Sequence, residues 1–210
     1  MKFKKKYGVI KKAISKDMAF FLYNYLLIKR QVARTLKDKK YISPFEKMFG
    51  TFGDGQVPKA YCVYGDIAME TLLLKIQPVV EKETGLKLLP TYSYTRIYGH
   101  GDELVRHTDR LSCEISTTIH LGGEPWPIYI DPTGANNSPK GVSIDLKPGD
   151  MLIYRGDLLE HWRNHFDGEN HAQVFLHYNN AKGKKPKIYD ERIHLGLIKD
   201  PLFLQQKGKK

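Results

Sequence analysis

Residues 91–121 read TYSYTRIYGHGDELVRHTDRLSCEISTTIHL. β-Branched and aromatic residues run in short stretches over Thr91–Tyr98, Leu104–Asp109 and Glu114–Leu121, and glycine, aspartate and arginine break them, the pattern of short strands joined by turns. The texture continues downstream in Ile128–Ile130, Val142–Leu146, Met151–Tyr154, Glu160–Arg163 and Ala172–Tyr178. Eight short strands in succession predict a jelly-roll, in which two antiparallel sheets fold against each other as a double-stranded β-helix.

Upstream of these runs the period changes. Ser15–Lys37 carries apolar residues at helical spacing, with Ser15 at the N-cap position, Asp17 in the first turn and lysine toward the end. A second helix is expected from Asp66, stopped by Gly85 and kinked at Pro78. The fold class is therefore α+β but mainly β: a double-stranded β-helix of eight core strands with the N-terminal helices packed on one sheet. One domain is expected over residues 1–210, made of a helical part (1–90), a jelly-roll core (91–180) and a basic C-terminal tail (181–210), of which Gln205–Lys210 reads as a frayed end.

Composition agrees with a soluble globular chain: 210 residues with 41% hydrophobic and 27% charged residues can close one core without staples. Cys62 and Cys113 lie far apart without ligand-type spacing, which excludes a cysteine-based zinc module and fits a reducing, cytoplasmic compartment. The N-terminus lacks the apolar core of a secretory signal, and Ala19–Ile28 is too short and too polar to span a bilayer, so no membrane partner is expected. The net charge of +11 is terminal: residues 41–180 hold 12 basic and 18 acidic groups. Lysine supplies 26 of the 34 basic residues, so the termini read as solvated lysine tails, with a loose contact to nucleic acid as the lesser reading. No G-x-S-x-G or Walker-type loop is present, which argues against hydrolytic nucleophile chemistry.

Three His-x-Asp pairs occur, His100–Asp102, His107–Asp109 and His165–Asp167, where chance gives about half of one. Residues i and i+2 of a strand face the same side, so a pair on a strand can share one metal ion. Only His107 and Asp109 end a strand run; His100 and Asp102 sit among glycines, and His165 and Asp167 follow the seventh strand. A second histidine must then come from a strand distant in sequence, and His161 on the seventh strand is 54 residues beyond His107. Taken singly, each of these residues also reads as a structural histidine or a strand pair. Together, two imidazoles and one carboxylate on one face of an octahedral ion leave three open positions, an arrangement suited to a non-haem Fe(II) oxygenase. His100, His165, His177 and His194 read as surface or structural, and His120 as a residue of the third strand.

The segment TRIYGHGDELVRHTDR (95–110), followed by a threonine-rich strand, KPGDMLIYRG, LEHWRN and QVFLHY, resembles the iron(II) and 2-oxoglutarate-dependent dioxygenases, in particular the prolyl-4-hydroxylase-like branch. That resemblance covers residues 91–180. It implies an enzyme that uses Fe(II), 2-oxoglutarate and O2 to hydroxylate an unactivated C–H bond, with release of succinate and CO2. It also implies a cosubstrate contact at Tyr98, nine residues before His107. Where that branch carries a basic anchor for the distal carboxylate, about ten residues after the second histidine, this chain has His171. Arg163, two residues from His161, is the expected cation instead, with Gln173 and His171 completing the pocket and Arg96 as the alternative. Tyr92, Tyr94, Arg96 and Tyr98 share one face of the first strand, which either lines this cavity or packs under a helix. The substrate, a small molecule or a peptide, has no signature in the sequence, nor has the oligomeric state. The reading from another class is a non-catalytic jelly-roll module, cupin-like or viral and structural.

Overall fold

The computed structural model describes residues 6–134, 140–183 and 186–199. The chain enters as strand β1 (Tyr7–Ile10) and helix α1 (Lys16–Asp38), then β2 (Thr51–Phe52), β3 (Tyr61–Tyr64) and helix α2 (Ile67–Thr84). The remaining strands are β4 (Leu88–Tyr98), β5 (Leu104–His107), β6 (Ile115–Gly123), β7 (Ile128–Ile130), β8 (Val142–Ile144), β9 (Met151–Tyr154), β10 (His161–Arg163) and β11 (His171–Asn180). All pairs are antiparallel, in a large sheet ordered β1-β9-β6-β11-β4-β3-β2 and a small one ordered β5-β10-β7-β8. The eight strands expected from the sequence are β4 to β11, four in each sheet, and they form the double-stranded β-helix.

Both helices cover the large sheet. Leu22, Leu26 and Ala33 of α1 and Met69, Leu73, Ile76 and Val80 of α2 join one apolar cluster with Ile115, Ile119, Val174 and Leu176 of the sheet. Ser15 caps α1 by accepting from Met18 N at 3.1 Å, and Asp66 caps α2 by accepting from Ala68 N and Met69 N. Asp66 also accepts from the Tyr25 hydroxyl at 2.7 Å and pairs with Lys29, which ties the two helices together. The second helix runs through Pro78 as one helix and ends at the left-handed Gly85 that the sequence marks as its stop.

Three short strands extend the large sheet beyond its jelly-roll core. β1 adds to the edge at β9, and β2 and β3 add to the edge at β4. Their runs are too short to show a period against the surrounding lysines, glycines and prolines. The Pro148–Gly149–Asp150 turn has a positional reason: Gly149 sits at φ +90°, where a Cβ would meet Ile14 O at 2.6 Å.

Residues 186–199, expected to belong to a basic tail, pack against the body instead. Buried Asp190 accepts from the Tyr64 hydroxyl and both terminal nitrogens of Arg110, and buried Arg192 pairs with Glu70 at 2.7 Å. Charged residues can dock here because each finds an ionic or backbone partner. Gln205–Lys210 lie outside the described residues. Among those described, no helix is long and apolar enough to cross a membrane.

Candidate metal centre

β5 and β10 are neighbours in the small sheet, and their register sets His107 directly opposite His161. The two rings lie 4.3 Å apart, and Asp109 Oδ1 is 3.7 Å from His107 Nε2 and 3.6 Å from His161 Nε2. The three ligand atoms thus fall within 4.8 Å of one another. A first-row ion with bonds of about 2.1 Å holds cis ligands about 3 Å apart, so small side-chain rotations would close the set on one ion.

The backbone fixes which atoms are free. His107 Nδ1 is 2.7 Å from Val105 O and His161 Nδ1 is 3.0 Å from Leu159 O. A carbonyl only accepts, so each Nδ1 carries a proton and Nε2 is the nitrogen left to face Asp109 and an ion. Burial lowers the pKa of His161 and keeps the ring neutral. Burial alone would raise that of Asp109, but the charge a neighbouring imidazole carries whenever it is protonated, and donated hydrogen bonds such as that of the Ser116 hydroxyl, outweigh it and hold the carboxyl below its ordinary range. Two neutral imidazoles and an ionised carboxylate are the state a divalent ion requires.

Asp109 is held on its other oxygen. Ser116 Oγ donates to Oδ2 at 2.7 Å, the Asp109 amide donates to Gly156 O at 2.8 Å, and His177 Nδ1 lies 3.0 Å from Ser116 Oγ. Gly156 has no room for a side chain, since a Cβ there would fall against Asp109 Oδ2, Ser116 Oγ and Cys113 O. Gly156→Ala is expected to push Asp109 off its support while leaving the two sheets intact. Iron affinity should fall on the order of tenfold to a hundredfold, as for loss of a supporting partner, and the melting temperature should fall by several degrees, since the same Cβ also meets the backbone at Cys113 O; metal titration and thermal denaturation measure the two.

His177, expected at the surface or in a structural role, is buried beside this carboxylate and lines the same cavity. It was missed because its place depends on the register of β11 against β6, which sets it opposite Ser116. Burial brings its pKa down from 6.5 to about 4. A group whose folded pKa lies below its unfolded value stabilises the fold above the unfolded pKa, and that stability is lost as pH falls toward the folded pKa. The window is pH 6.5 to about 4, and a shift of this size corresponds to about 3 kcal/mol. His161 acts with the same sign. His177→Gln, which cannot titrate there, should lose less melting temperature than the parent between neutral pH and the lower end of that window.

A cavity of about 460 Å³ opens onto the three ligand residues and is lined by Tyr64, Tyr92, Tyr94, Arg96, Arg110 and Phe175, among others. The face of β4 that carries Tyr92, Tyr94 and Arg96 therefore lines the site rather than packing under a helix. Its charges are already paired. Arg96 donates to Asp54 Oδ2 through Nε at 2.9 Å and Nη2 at 2.6 Å, and to Gln56 Oε1, while Arg110 is held by Asp190. Asp54 and Gln56 come from the loop before β3, which carried no signal in the sequence.

Arg163 does not line this cavity. Its guanidinium is buried 4.9 Å from the Trp126 ring centroid and donates through Nη1 to Trp126 O. With the Gln173 amide oxygen turned toward it, Nη2 has an acceptor at 3.1 Å, whereas Nε has none. No carboxylate pairs with Arg163 among the described residues, and burial lowers its pKa to about 10. His171 lies 2.6 Å from the Gln173 amide and 4.5 Å, ring to ring, from His120. Burial and the charge of Arg163 push its pKa far down, so His171 is neutral and supplies no cation. Tyr98 packs edge-on against Trp126 and its hydroxyl is 3.4 Å from Arg96 Nη1.

The fold is the double-stranded β-helix, here with a two-histidine, one-carboxylate cluster on the paired strands β5 and β10 and the turn after β5. No protein-family model and no curated protein sequence matches the chain. Solved structures do share the fold. EctD from S. alaskensis, a structure with bound Fe, is 15% identical at a TM-score of 0.60, covering 99% of this chain and 82% of its own. HygX from Streptomyces hygroscopicus, solved with nickel and 2-oxoglutarate, is 12% identical at a TM-score of 0.56, covering 94% of each chain. The viral collagen prolyl hydroxylase vCPH from Paramecium Bursaria Chlorella virus-1, a 2-oxoglutarate complex, is 12% identical at a TM-score of 0.54, covering 83% of this chain and 96% of its own.

Proposed function

We propose that this chain is an iron(II)- and 2-oxoglutarate-dependent dioxygenase that hydroxylates an unactivated C–H bond, with O2 as oxidant and succinate and CO2 as products. The observation that carries this reading is the convergence of His107 Nε2, His161 Nε2 and Asp109 Oδ1, with both Nδ1 protons tied to backbone carbonyls. That donor set fits a hard-to-borderline divalent ion and leaves half of an octahedron for cosubstrate and oxygen. Bound there, iron would supply the oxidative chemistry, and the protein's part is to bind, orient and exclude water.

His107, Asp109 and His161 hold the metal in this reading, with Ser116 and Gly156 keeping Asp109 in place. The far carboxylate of 2-oxoglutarate requires a cation, since a buried unpaired carboxylate is costly. Arg163 is proposed for that role, with Gln173, His171 and Tyr98 around it, because it is buried, lacks a carboxylate partner among the described residues and has an unsatisfied Nε; none of these four lines the cavity as it stands, so the reading requires the cavity to extend toward them when the cosubstrate enters. Arg96 reaches the cavity but is neutralised by Asp54. The part of the substrate that reaches the metal meets tyrosine rings and charges that are already paired, so its reacting group is uncharged.

The test is succinate release from 2-oxoglutarate in air. Iron-dependent release, stopped by a chelator, is the expected result. Failure to form succinate with iron demonstrably bound would favour a binding module that keeps the fold without turnover.

A further inference from the structure

The cavity over the metal cluster adjoins a second one of about 610 Å³, and Tyr64, Tyr94 and Arg110 line both. Tyr64 and Tyr94 are cross-strand partners on β3 and β4, so their side chains stand on one face of the sheet. Each hydroxyl donates to a carboxylate, Tyr64 to Asp190 at 2.8 Å and Tyr94 to Asp54 at 2.7 Å, which leaves ring surface between the two cavities. Arg110 directly follows Asp109 in the chain, so the second cavity begins within one side chain's reach of the cluster.

The second cavity carries one sign of charge. Lys47, Arg110 and Lys199 line it, and among the described residues no carboxylate does, although residues 41–180 are net acidic. Asp190 lies buried behind the wall, where its Oδ2 takes both Arg110 Nη2 at 2.7 Å and Lys199 Nζ at 3.2 Å. Exposed Glu191 is 3.8 Å from Lys199 but nearer to Lys187, at 3.2 Å, and Glu46 accepts from Met48 N without lining the cavity. Four cations, counting Lys187, thus meet two carboxylates, and a concave wall with a net positive charge draws in an anion.

The backbone holds Asp190 in a conformation that L residues resist. Tyr189, Asp190 and Glu191 have φ of +53°, +56° and +68°, three successive left-handed residues without a glycine. Such a conformation persists where the surrounding contacts fix it, and it recurs at ligand sites. Here the contacts that fix it are those that set Arg110 and Lys199 together on the cavity wall.

On the dioxygenase reading above, from which this follows, we propose that the substrate is an elongated small molecule with an anionic group, a carboxylate or a phosphate, held in the second cavity by Lys47, Arg110 and Lys199. Its uncharged end lies at the metal and its middle passes the rings of Tyr64 and Tyr94. Each cavity is of the size that takes a small molecule.

The test titrates the full chain with phenyl phosphate, benzoate and phenol by calorimetry at low salt, once with Fe(II) and saturating 2-oxoglutarate under exclusion of oxygen and once with neither. In both preparations one of the anions should bind on the order of tenfold or more tighter than phenol, and the preferred one separates phosphate from carboxylate. Lys47→Ala with Lys199→Ala should remove that preference, whereas Lys75→Ala with Lys82→Ala, at exposed positions of α2, should keep it. Asp190 retains Tyr64 and Arg110 when Lys199 is removed, so the first variant should melt near the parent. No preference for either anion, or equal weakening by both double variants, would overturn the proposal. Displacement of the anion by 2-oxoglutarate would make these cations the cosubstrate anchor and overturn it as well. So would single-stranded RNA binding that Lys47→Ala with Lys199→Ala abolishes while the fragments do not bind. Anion binding by a chain that forms no succinate would instead overturn the dioxygenase reading, and the substrate role with it, and leave the anion site standing.

Discussion

Asp109→Ala is expected to lose iron(II) binding by more than about a hundredfold and to form no succinate, with the fold intact. The carboxylate is the sole anionic ligand of the set, and without it two neutral imidazoles hold a divalent ion poorly. Its removal also releases Ser116, whose hydroxyl keeps His177 and Cys113 O as partners at 3.0 and 3.1 Å, so little buried polarity is orphaned. Anaerobic metal titration and thermal denaturation of the same variant separate the two effects. Wild-type iron affinity in Asp109→Ala would remove the cluster from the account altogether.

The second large effect falls on the cosubstrate. Arg163→Ala should raise the 2-oxoglutarate concentration for half-maximal succinate formation by about ten- to a hundredfold, since a hydrogen bond to a charged group contributes about 1.5 to 3 kcal/mol. Iron affinity should change much less, because Arg163 makes its hydrogen bonds to Trp126 O and Gln173 rather than to a metal ligand. Arg96→Ala is the control: Arg96 is already spent on Asp54, so its loss should alter the shape of the cavity more than the 2-oxoglutarate requirement. If Arg96→Ala raises that requirement and Arg163→Ala does not, the anchor is Arg96, and Asp54 must release it when the cosubstrate enters.

Much of this was legible in the sequence for physical reasons. Strands β4 to β11 are short runs bounded by turn residues, and Ser15, Asp66 and Gly85 are helix punctuation whose effect is local. His107 and Asp109 could be placed together because strand geometry alone puts i and i+2 on one side. That His161 lies opposite His107 is a matter of which strands become neighbours, and only the jelly-roll order supplied it. Register hid the rest. His177 reads as an ordinary polar residue until β11 is aligned with β6, and the pairing of Arg96 with Asp54 depends on a loop without period. The second cavity was equally hidden: Lys47, Arg110 and Lys199 lie far apart in sequence, and Lys199 reads there as part of a basic tail.

The central claim is that this triad holds iron and presents it to 2-oxoglutarate, and the most direct measurement is the visible absorption of the protein with Fe(II) and 2-oxoglutarate under strict exclusion of oxygen. The account predicts a weak visible charge-transfer band of a metal-chelated keto acid, saturating at one iron per chain, absent from Asp109→Ala and bleached when air is admitted. A protein that binds 2-oxoglutarate without developing the band, or develops it equally in Asp109→Ala, would contradict it.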